Sequence, residues 1–160
     1  MNAATKTVLA GVAAAAAVVL LVRSLSGDAT RTGVFFYDES ARRLFVAPMG
    51  SVPPIVGVDG PGEDAYRAVV VSVTGNPDDK ASRRVAYLER YSPEMKSQIE
   101  AARASGGTPS IGRSEGLAHR WVRRTNDTEW IPMADPRSEE IVSGWAVPGP
   151  SGETPVLCTP

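Results

Sequence analysis

The chain has 160 residues, with 17 Lys and Arg against 18 Asp and Glu and a formal net charge of −1. This balance excludes the strongly basic surface that binds nucleic acid, so we expect no nucleic-acid partner. A single cysteine, Cys158, excludes an intrachain disulfide and a thiolate metal site, and a single histidine, His119, excludes most histidine-dependent metal sites. We therefore predict no cofactor. Three scattered arginine pairs are predicted to lie on solvated strand faces: Arg42-Arg43, Arg83-Arg84 and Arg123-Arg124.

The most distinctive segment is the apolar run Val8 to Val22, which contains only Val, Leu, Ala and one Gly. Between Lys6 and Arg23 lie sixteen uncharged residues, and a helix of that length spans roughly 24 Å against a hydrocarbon core of about 30 Å. The flanking Lys and Arg side chains can reach outward to make up the difference. We predict a transmembrane anchor in contact with the lipid bilayer. A cleaved signal peptide is the main alternative, and a buried Ala-rich helix is a weaker one because the run has no polar face.

The short amino-terminal tail and its Lys6 predict an orientation with the amino terminus in the cytoplasm. The chain is then a single-pass protein of the inner (cytoplasmic) membrane, with its carboxyl-terminal domain outside the cytoplasm. We divide it into a tail and anchor at 1–27, an extracytoplasmic domain at 28–147, and a Pro- and Gly-rich tail at 148–160.

The first predicted elements form a β-hairpin. Val34 to Tyr37 and Leu44 to Ala47 are rich in aromatic and aliphatic residues, and Pro48 ends the second strand because it lacks a backbone donor. Gly50 to Asp64 is crowded with Pro and Gly and is predicted to be a loop.

Ala65 to Val73 is the clearest strand, and its three consecutive valines predict a central strand buried on both faces. Arg84 to Tyr91 is ambiguous, because Val85 and Leu88 have helical spacing whereas Val85 and Tyr87 alternate as on a strand. We favour a strand that pairs with the valine strand.

A helix is predicted from Pro93 to about Ala104, with Ser92 as its N-cap and Gly106 just beyond its end. Leu117 to Arg123 alternates like a strand, which would place Leu117, His119, Trp121 and Arg123 on one side. Trp130-Ile131 would complete a second hairpin that ends at Pro132.

Ser138 to Trp145 is predicted to be a short helix, opened by Asp135-Pro136. The tail from Pro148 would be extended unless it docks on the sheet, and Cys158 would have no structural role. The fold class is therefore α+β: a transmembrane helix, then a small, mostly antiparallel sheet with one packed helix and a short carboxyl-terminal helix.

Seven segments after the anchor together carry a resemblance to a known family: Phe36-Tyr37-Asp38, Leu44-Phe45-Val46-Ala47, Pro53-Pro54-Ile55, Tyr87 to Lys96, Val122-Arg123-Arg124, Glu129-Trp130-Ile131-Pro132 and Cys158-Thr159-Pro160. Through them the chain resembles an uncharacterised bacterial family of short proteins with one N-terminal membrane segment and a small extracytoplasmic domain. The resemblance implies location and architecture, and it implies no activity. Similar sequences often carry cysteines near the position of Thr74 to Asp78, and this chain has none there.

The leading functional hypothesis is a membrane-tethered, non-catalytic interaction module with an unknown protein partner, such as an accessory of an envelope or secretion assembly. The candidate surface comprises Tyr66, Tyr87, His119, Trp121 and Trp130, although aromatic residues of this kind more often fill a core than line a groove. A carboxylate-dependent hydrolase is an alternative, as is a triad built on His119, but no G-x-S-x-G elbow is present. A pilin-like subunit is a further alternative, and the expected processing site is missing.

Overall fold

A computed structural model describes residues 33–149 and 152–160. The predicted anchor at Val8 to Val22 and the linker that follows it lie outside these residues. Within the described ranges, every helix is too short or too polar to cross a membrane.

A seven-stranded sheet forms the body of the described chain. Six strands lie in the order β2-β1-β3-β4-β5-β6, and β7 pairs with β3. The strands are β1 (Gly33–Asp38), β2 (Arg43–Pro48), β3 (Ala65–Ser72), β4 (Arg83–Tyr91), β5 (Arg120–Arg123), β6 (Ile131–Pro132) and β7 (Val156–Leu157). The pairings of β3 with β1, β4 and β7, and those of β5 with β4 and β6, are antiparallel. The α+β class with a mostly antiparallel sheet is confirmed.

Helices close one face of the sheet. The α-helices are α1 (Pro93–Ala104), α2 (Arg113–His119) and α3 (Arg137–Ser143), and single 3₁₀ turns cover Lys80–Ser82 and Gly144–Ala146. Ile141 of α3 packs with Tyr87 and Val122 of the sheet, and Met95 and Ile99 of α1 pack with Val52 and Tyr91. We call this side the helix face.

The opposite side has a core of its own, made of Phe35, Ala68, Val70, Leu88 and Cys158. None of the described helices contributes a buried residue to it. We call this side the open face.

Strand β3 is central, as predicted. It pairs with β4 along one side, and with β1 and then β7 along the other. Ala68 and Val70 contact the open-face core, whereas Ala65 and Val69 pack with residues of the helix face. The valine run therefore reflects burial on both faces, which is typical of a strand in the middle of a sheet.

Strand β4 contains a bulge that explains its ambiguous sequence pattern. Val69 of β3 lies opposite Tyr87 and Val70 lies opposite Val85, so the register shifts at this point and Ala86 is the extra residue. Beyond a bulge the alternation of faces is reset. Val85 and Leu88 consequently contact the same core at helical spacing, although both lie on a strand.

Helix α1 spans Pro93–Ala104, as predicted from its local signals. The Ser92 hydroxyl accepts a hydrogen bond from the Met95 N–H, Pro93 occupies the first turn, and Glu94 lies near the positive end of the helix dipole. The predicted helix near Ile141 is also present, as α3 followed by a 3₁₀ turn.

The predicted strand Leu117 to Arg123 is wrong in its first half. Leu117 and His119 belong to helix α2, and β5 begins only at Arg120. No residue of α2 is buried, so the alternation of Leu117 and His119 with polar residues does not reflect a buried face. Tertiary contacts decide the local structure instead: the carbonyl oxygen of Leu117 accepts from the N–H of Ala134, and that of His119 from the N–H of Ser92.

The end of the chain is part of the sheet. Val156 and Leu157 pair with β3, and the N–H of Cys158 donates to the carbonyl of Val70 at 2.8 Å. The Cys158 side chain lies in the open-face core, so the expectation that it has no structural role is wrong. A buried free cysteine behaves there as a small apolar residue.

Candidate interaction site

Two arginines and three aromatic residues form a continuous stack on the open face. Its order is Trp121, Arg90, Trp130, Arg123 and Tyr66, and we call it the Arg–aromatic ladder. Apart from the buried Arg123, its members are half-buried, so the ladder lies at the surface of the sheet.

The guanidinium groups stack against the aromatic rings. The Cζ atom of Arg90 lies 4.6 Å from the ring centre of Trp121 and 4.5 Å from that of Trp130. The Cζ atom of Arg123 lies 4.7 Å from Trp130 and 5.6 Å from Tyr66. The rings of Tyr66 and Trp130 are themselves 4.9 Å apart and tilted by 55°. All these separations lie within the range of cation–π and aromatic pairing.

The sheet register explains why four of these residues meet. Arg90 of β4 lies directly opposite Trp121 of β5, and Leu88 lies opposite Arg123. Since side chains two apart on a strand share a face, Arg90, Trp121 and Arg123 all join Leu88 on the open face. Tyr66 is two residues before Ala68, which pairs with Leu88, so it projects from the same face of β3.

Trp130 comes from the segment between β5 and β6. Its ring contacts both guanidinium groups and Tyr66, and it also packs against the open-face core. Trp130 thereby fills the centre of the ladder.

The two arginines differ in their electrostatic surroundings. Arg123, which is 4% exposed, forms an ion pair with Glu39 and donates to the carbonyl of Asp127 at 2.6 Å. Among the described residues Arg90 has no carboxylate within ion-pair distance. The Nε atoms of both arginines are buried without an acceptor. Burial is the largest cause of a lowered pKa for Arg90, and burial followed by the charge of Glu39 raises the pKa of Tyr66. Arg90 is therefore a desolvated cation held mainly by aromatic rings.

The structure brings together three of the five predicted surface residues. Tyr66, Trp121 and Trp130 all belong to the ladder, but Tyr87 is buried on the helix face with Val122, Ile131 and Ile141. His119 lies at the end of α2, where its Nδ1 is 2.8 Å from the Ser92 hydroxyl. The five predicted residues therefore do not form one surface: three lie on the open face, Tyr87 lies on the helix face, and His119 contacts the N-cap of α1.

The contact between His119 and Ser92 is a cap and lacks the features of a catalytic pair. Ser92 is only 1% exposed, and its hydroxyl already accepts from the Met95 N–H at 3.2 Å. Glu94 is adjacent, and its own backbone N–H and the Ser92 hydroxyl lower its pKa. A nucleophile must be reachable by substrate, and this hydroxyl is enclosed.

Sequence reasoning missed the two arginines of the ladder. We predicted solvated faces for the arginine pairs, but Arg123 is buried and Arg83 is half-buried. A signal for Arg123 was present, because the alternation of Trp121 and Arg123 puts both on one strand face. Arg90 alternates with Leu88 in the same way, but the register that places it opposite Trp121 is visible only in the paired strands.

Within residues 33–149 and 152–160, no three His, Cys, Asp or Glu side chains lie close enough together to hold a metal ion. Comparison with known proteins does not extend the assignment: no family model, curated protein or solved structure matches this chain.

Proposed function

We propose that this chain is a membrane-tethered, non-catalytic interaction module that binds a protein partner outside the cytoplasm through the Arg–aromatic ladder. The observation that carries the proposal is Arg90, a desolvated cation stacked between Trp121 and Trp130 with no carboxylate partner among the described residues.

The composition of the ladder supports a binding role. Tryptophan, tyrosine and arginine are the residue types most enriched among those that dominate the energy of protein interfaces. Their stacking here fixes the side chains before a partner arrives, which lowers the entropy lost on binding. A partner that offers a carboxylate to Arg90 would gain a charge-assisted hydrogen bond in a partly desolvated setting.

The difference between the two sheet faces supports the same choice. Helices α1 and α3 pack on the helix face, and the open face has no comparable cover among the described residues. A half-buried aromatic surface without a helical cover is typical of interaction sites.

Photo-crosslinking in the host cell tests the ladder. A photoreactive phenylalanine analogue at position 121 should give a discrete adduct with one protein, and Arg90→Gln in the same chain should abolish that adduct. The control places the analogue at position 117, where Leu117 is exposed on α2 outside the ladder. The proposal is contradicted if position 121 gives no adduct, if position 117 gives the same adduct, or if Arg90→Gln leaves the adduct unchanged.

The tethering half of the proposal rests on the apolar run Val8 to Val22 and is tested separately. The full chain should remain in the membrane fraction after an alkaline carbonate wash, and a chain that lacks residues 8–22 should not. Protease added to spheroplasts should degrade the domain without lysis. A full chain found in the wash, or a domain protected until lysis, would overturn this half of the proposal.

A further inference from the structure

We propose that a second location, a cleft beside Arg83, is a binding site for a small organic acid with an apolar body. The carboxylate would bind to Arg83 and Lys80, and the apolar body would lie against Phe35, Val46 and Pro77. This site is separate from the Arg–aromatic ladder and does not depend on the function proposed for it.

The cleft has a volume of about 500 Å³, a size that is typical of small-molecule sites. Three parts of the chain converge on it: the hairpin β1–β2, the turn that leads into β4, and the residues after β7. Its lining is formed by Phe35, Val46, Pro77, Asp78, Lys80, Arg83, Thr159 and Pro160.

Two cations, Lys80 and Arg83, line the cleft together with the carboxylate of Asp78. In the part of the chain that the structure describes, neither Lys80 nor Arg83 lies within ion-pair distance of a carboxylate, Asp78 included. Arg83 donates from Nη2 to the carbonyl of Pro77 at 2.9 Å, and its Nε is buried without an acceptor. An arginine held by one carbonyl retains donors for an anion, and a carboxylate is the group that fits its planar fork.

Arg83 is held in place before any ligand arrives. The side chain lies over the ring of Phe35, with Cζ 5.5 Å from the ring centre. Its backbone follows a 3₁₀ turn that is fixed by hydroxyl contacts, including Ser72 Oγ to Ser82 Oγ at 2.7 Å and Thr74 Oγ1 to Asp79 Oδ2 at 3.1 Å. Such preorganisation reduces the entropic cost of binding.

The apolar side of the cleft argues for an organic acid over an inorganic anion. Val46 is 47% exposed although it lies on a strand, and proline rings border the cleft at Pro77 and Pro160. An inorganic anion would leave these surfaces in contact with water. An acid with an apolar body covers them while its carboxylate binds to Arg83 and Lys80.

The test uses 3-phenylpropionate as the probe and the ¹⁵N-labelled full chain in neutral detergent micelles. Titration should shift the backbone amide signals of Lys80 and Arg83, with a Kd of about 1 mM or tighter. The uncharged 3-phenylpropanamide should bind about tenfold more weakly, because it cannot form the charge-assisted contact.

Substitutions at two adjacent residues give the matched comparison. Arg83→Gln should weaken binding of the acid about tenfold, and Arg83→Lys should restore part of it. Arg84→Gln should leave the Kd within about twofold, because exposed Arg84 does not line the cleft.

Three results would overturn the proposal: no shift of the cleft amides at the solubility limit of the acid, equal affinity for acid and amide, or equal weakening by Arg83→Gln and Arg84→Gln. If Arg83→Gln does not fold, the acid–amide comparison on the unaltered chain and Lys80→Gln decide the question in its place. None of these results depends on whether the ladder binds a protein.

Discussion

Asp38 shows how one buried carboxylate organises two loops. Its side chain is 0% exposed and accepts from the Ser40 hydroxyl at 2.9 Å and from the backbone N–H groups of Ala41 at 2.8 Å and Val58 at 2.5 Å. The bond from Ala41 is the largest cause of its lowered pKa. The carboxylate thus joins the β1–β2 turn to the Pro- and Gly-rich loop, which otherwise has little regular structure.

Gly57 gives a test of this arrangement. A Cβ at position 57 would collide with Oδ2 of Asp38. We expect Gly57→Ala to lower the free energy of unfolding by about 1–3 kcal/mol, because the loop must move away from the carboxylate. Gly60→Ala is the matched control, since a Cβ there meets nothing within 4 Å. Equal unfolding midpoints in urea for the two variants would refute the expectation.

Tyr87 predicts a loss of stability at alkaline pH. Burial, followed by the charge of Glu89, raises the pKa of Tyr87 to about 12. The folded state therefore keeps this proton while the unfolded state loses it near pH 10, so the contribution is complete below pH 10 and disappears as pH rises through about 12. Between these pH values the raised pKa of Tyr87 should lower the free energy of unfolding by about 2 kcal/mol. Tyr87→Phe should remove this part of the decrease with pH. Urea unfolding at pH 9 to 12 measures the free energy of unfolding of both proteins. An equal decrease with pH in the unaltered chain and in Tyr87→Phe would contradict the prediction.

Residue types predicted the ladder only in part. Three aromatic members were identifiable because large aromatic residues are rarely without a packing role. The arginines were not, because a charged side chain is assigned to solvent unless its partners are known. Asp127 is a local partner of Arg123, but the carboxylate of Glu39 lies 84 residues away in the sequence, and only the folded sheet brings it to Arg123.

Among the elements, those defined by local chemistry were the predictable ones. The start and end of helix α1 are marked by neighbouring residues: Ser92 caps it, Pro93 lies in its first turn, and Gly106 follows its end. Its observed bounds match the prediction. Helix α2 has no side-chain cap and no buried residue, so nothing local distinguishes it from a strand. The bulge in β4 likewise follows from pairing with β3, which is a tertiary interaction.

Removal of the α1 cap should have a measurable cost. Ser92→Ala removes the acceptor of the Met95 N–H and the hydroxyl partner of His119, and we expect a loss of about 1–2 kcal/mol in the free energy of unfolding. Ser97→Ala, at an exposed position of the same helix, should change it by less than about 0.5 kcal/mol. Thermal unfolding followed by circular dichroism compares the two. Similar melting temperatures would mean that the cap contributes little.

In the molecule as a whole, the two sheet faces are stabilised in different ways. The helix face is closed by α1 and α3, whereas the open face depends on the ladder and on the residues around β7. Composition predicted a separate tail from Pro148, because proline and glycine dominate that stretch. That prediction left open whether the tail docks on the sheet, and it did not identify Val156 and Leu157 as the residues that do so, since a two-residue strand has no periodicity to detect.

A truncated chain tests the contribution of β7. Deletion of residues 154–160 removes the β3 pairing and the buried Cys158 side chain, and should lower the free energy of unfolding by about 2 kcal/mol or more. Deletion of residues 159–160 alone keeps both and should have a small effect. Urea unfolding of both chains makes the comparison, and equal midpoints would show that β7 is dispensable.

The pairing of β7 with β3 also bears on the order in which the sheet assembles. Strands β3 and β4 are close in sequence, whereas Val71 and Leu157 are separated by more than half of the chain. Closing the longer loop costs more entropy, so we expect the β3–β4 hairpin to form early and β7 to join late. In pulse-labelling hydrogen exchange, the Tyr87 amide should gain protection before the Cys158 amide. Thr159 and Pro160 line the Arg83 cleft, so the cleft would be complete only at the last step of folding. A ligand bound there would slow unfolding, because it would stabilise the docked position of the residues after β7.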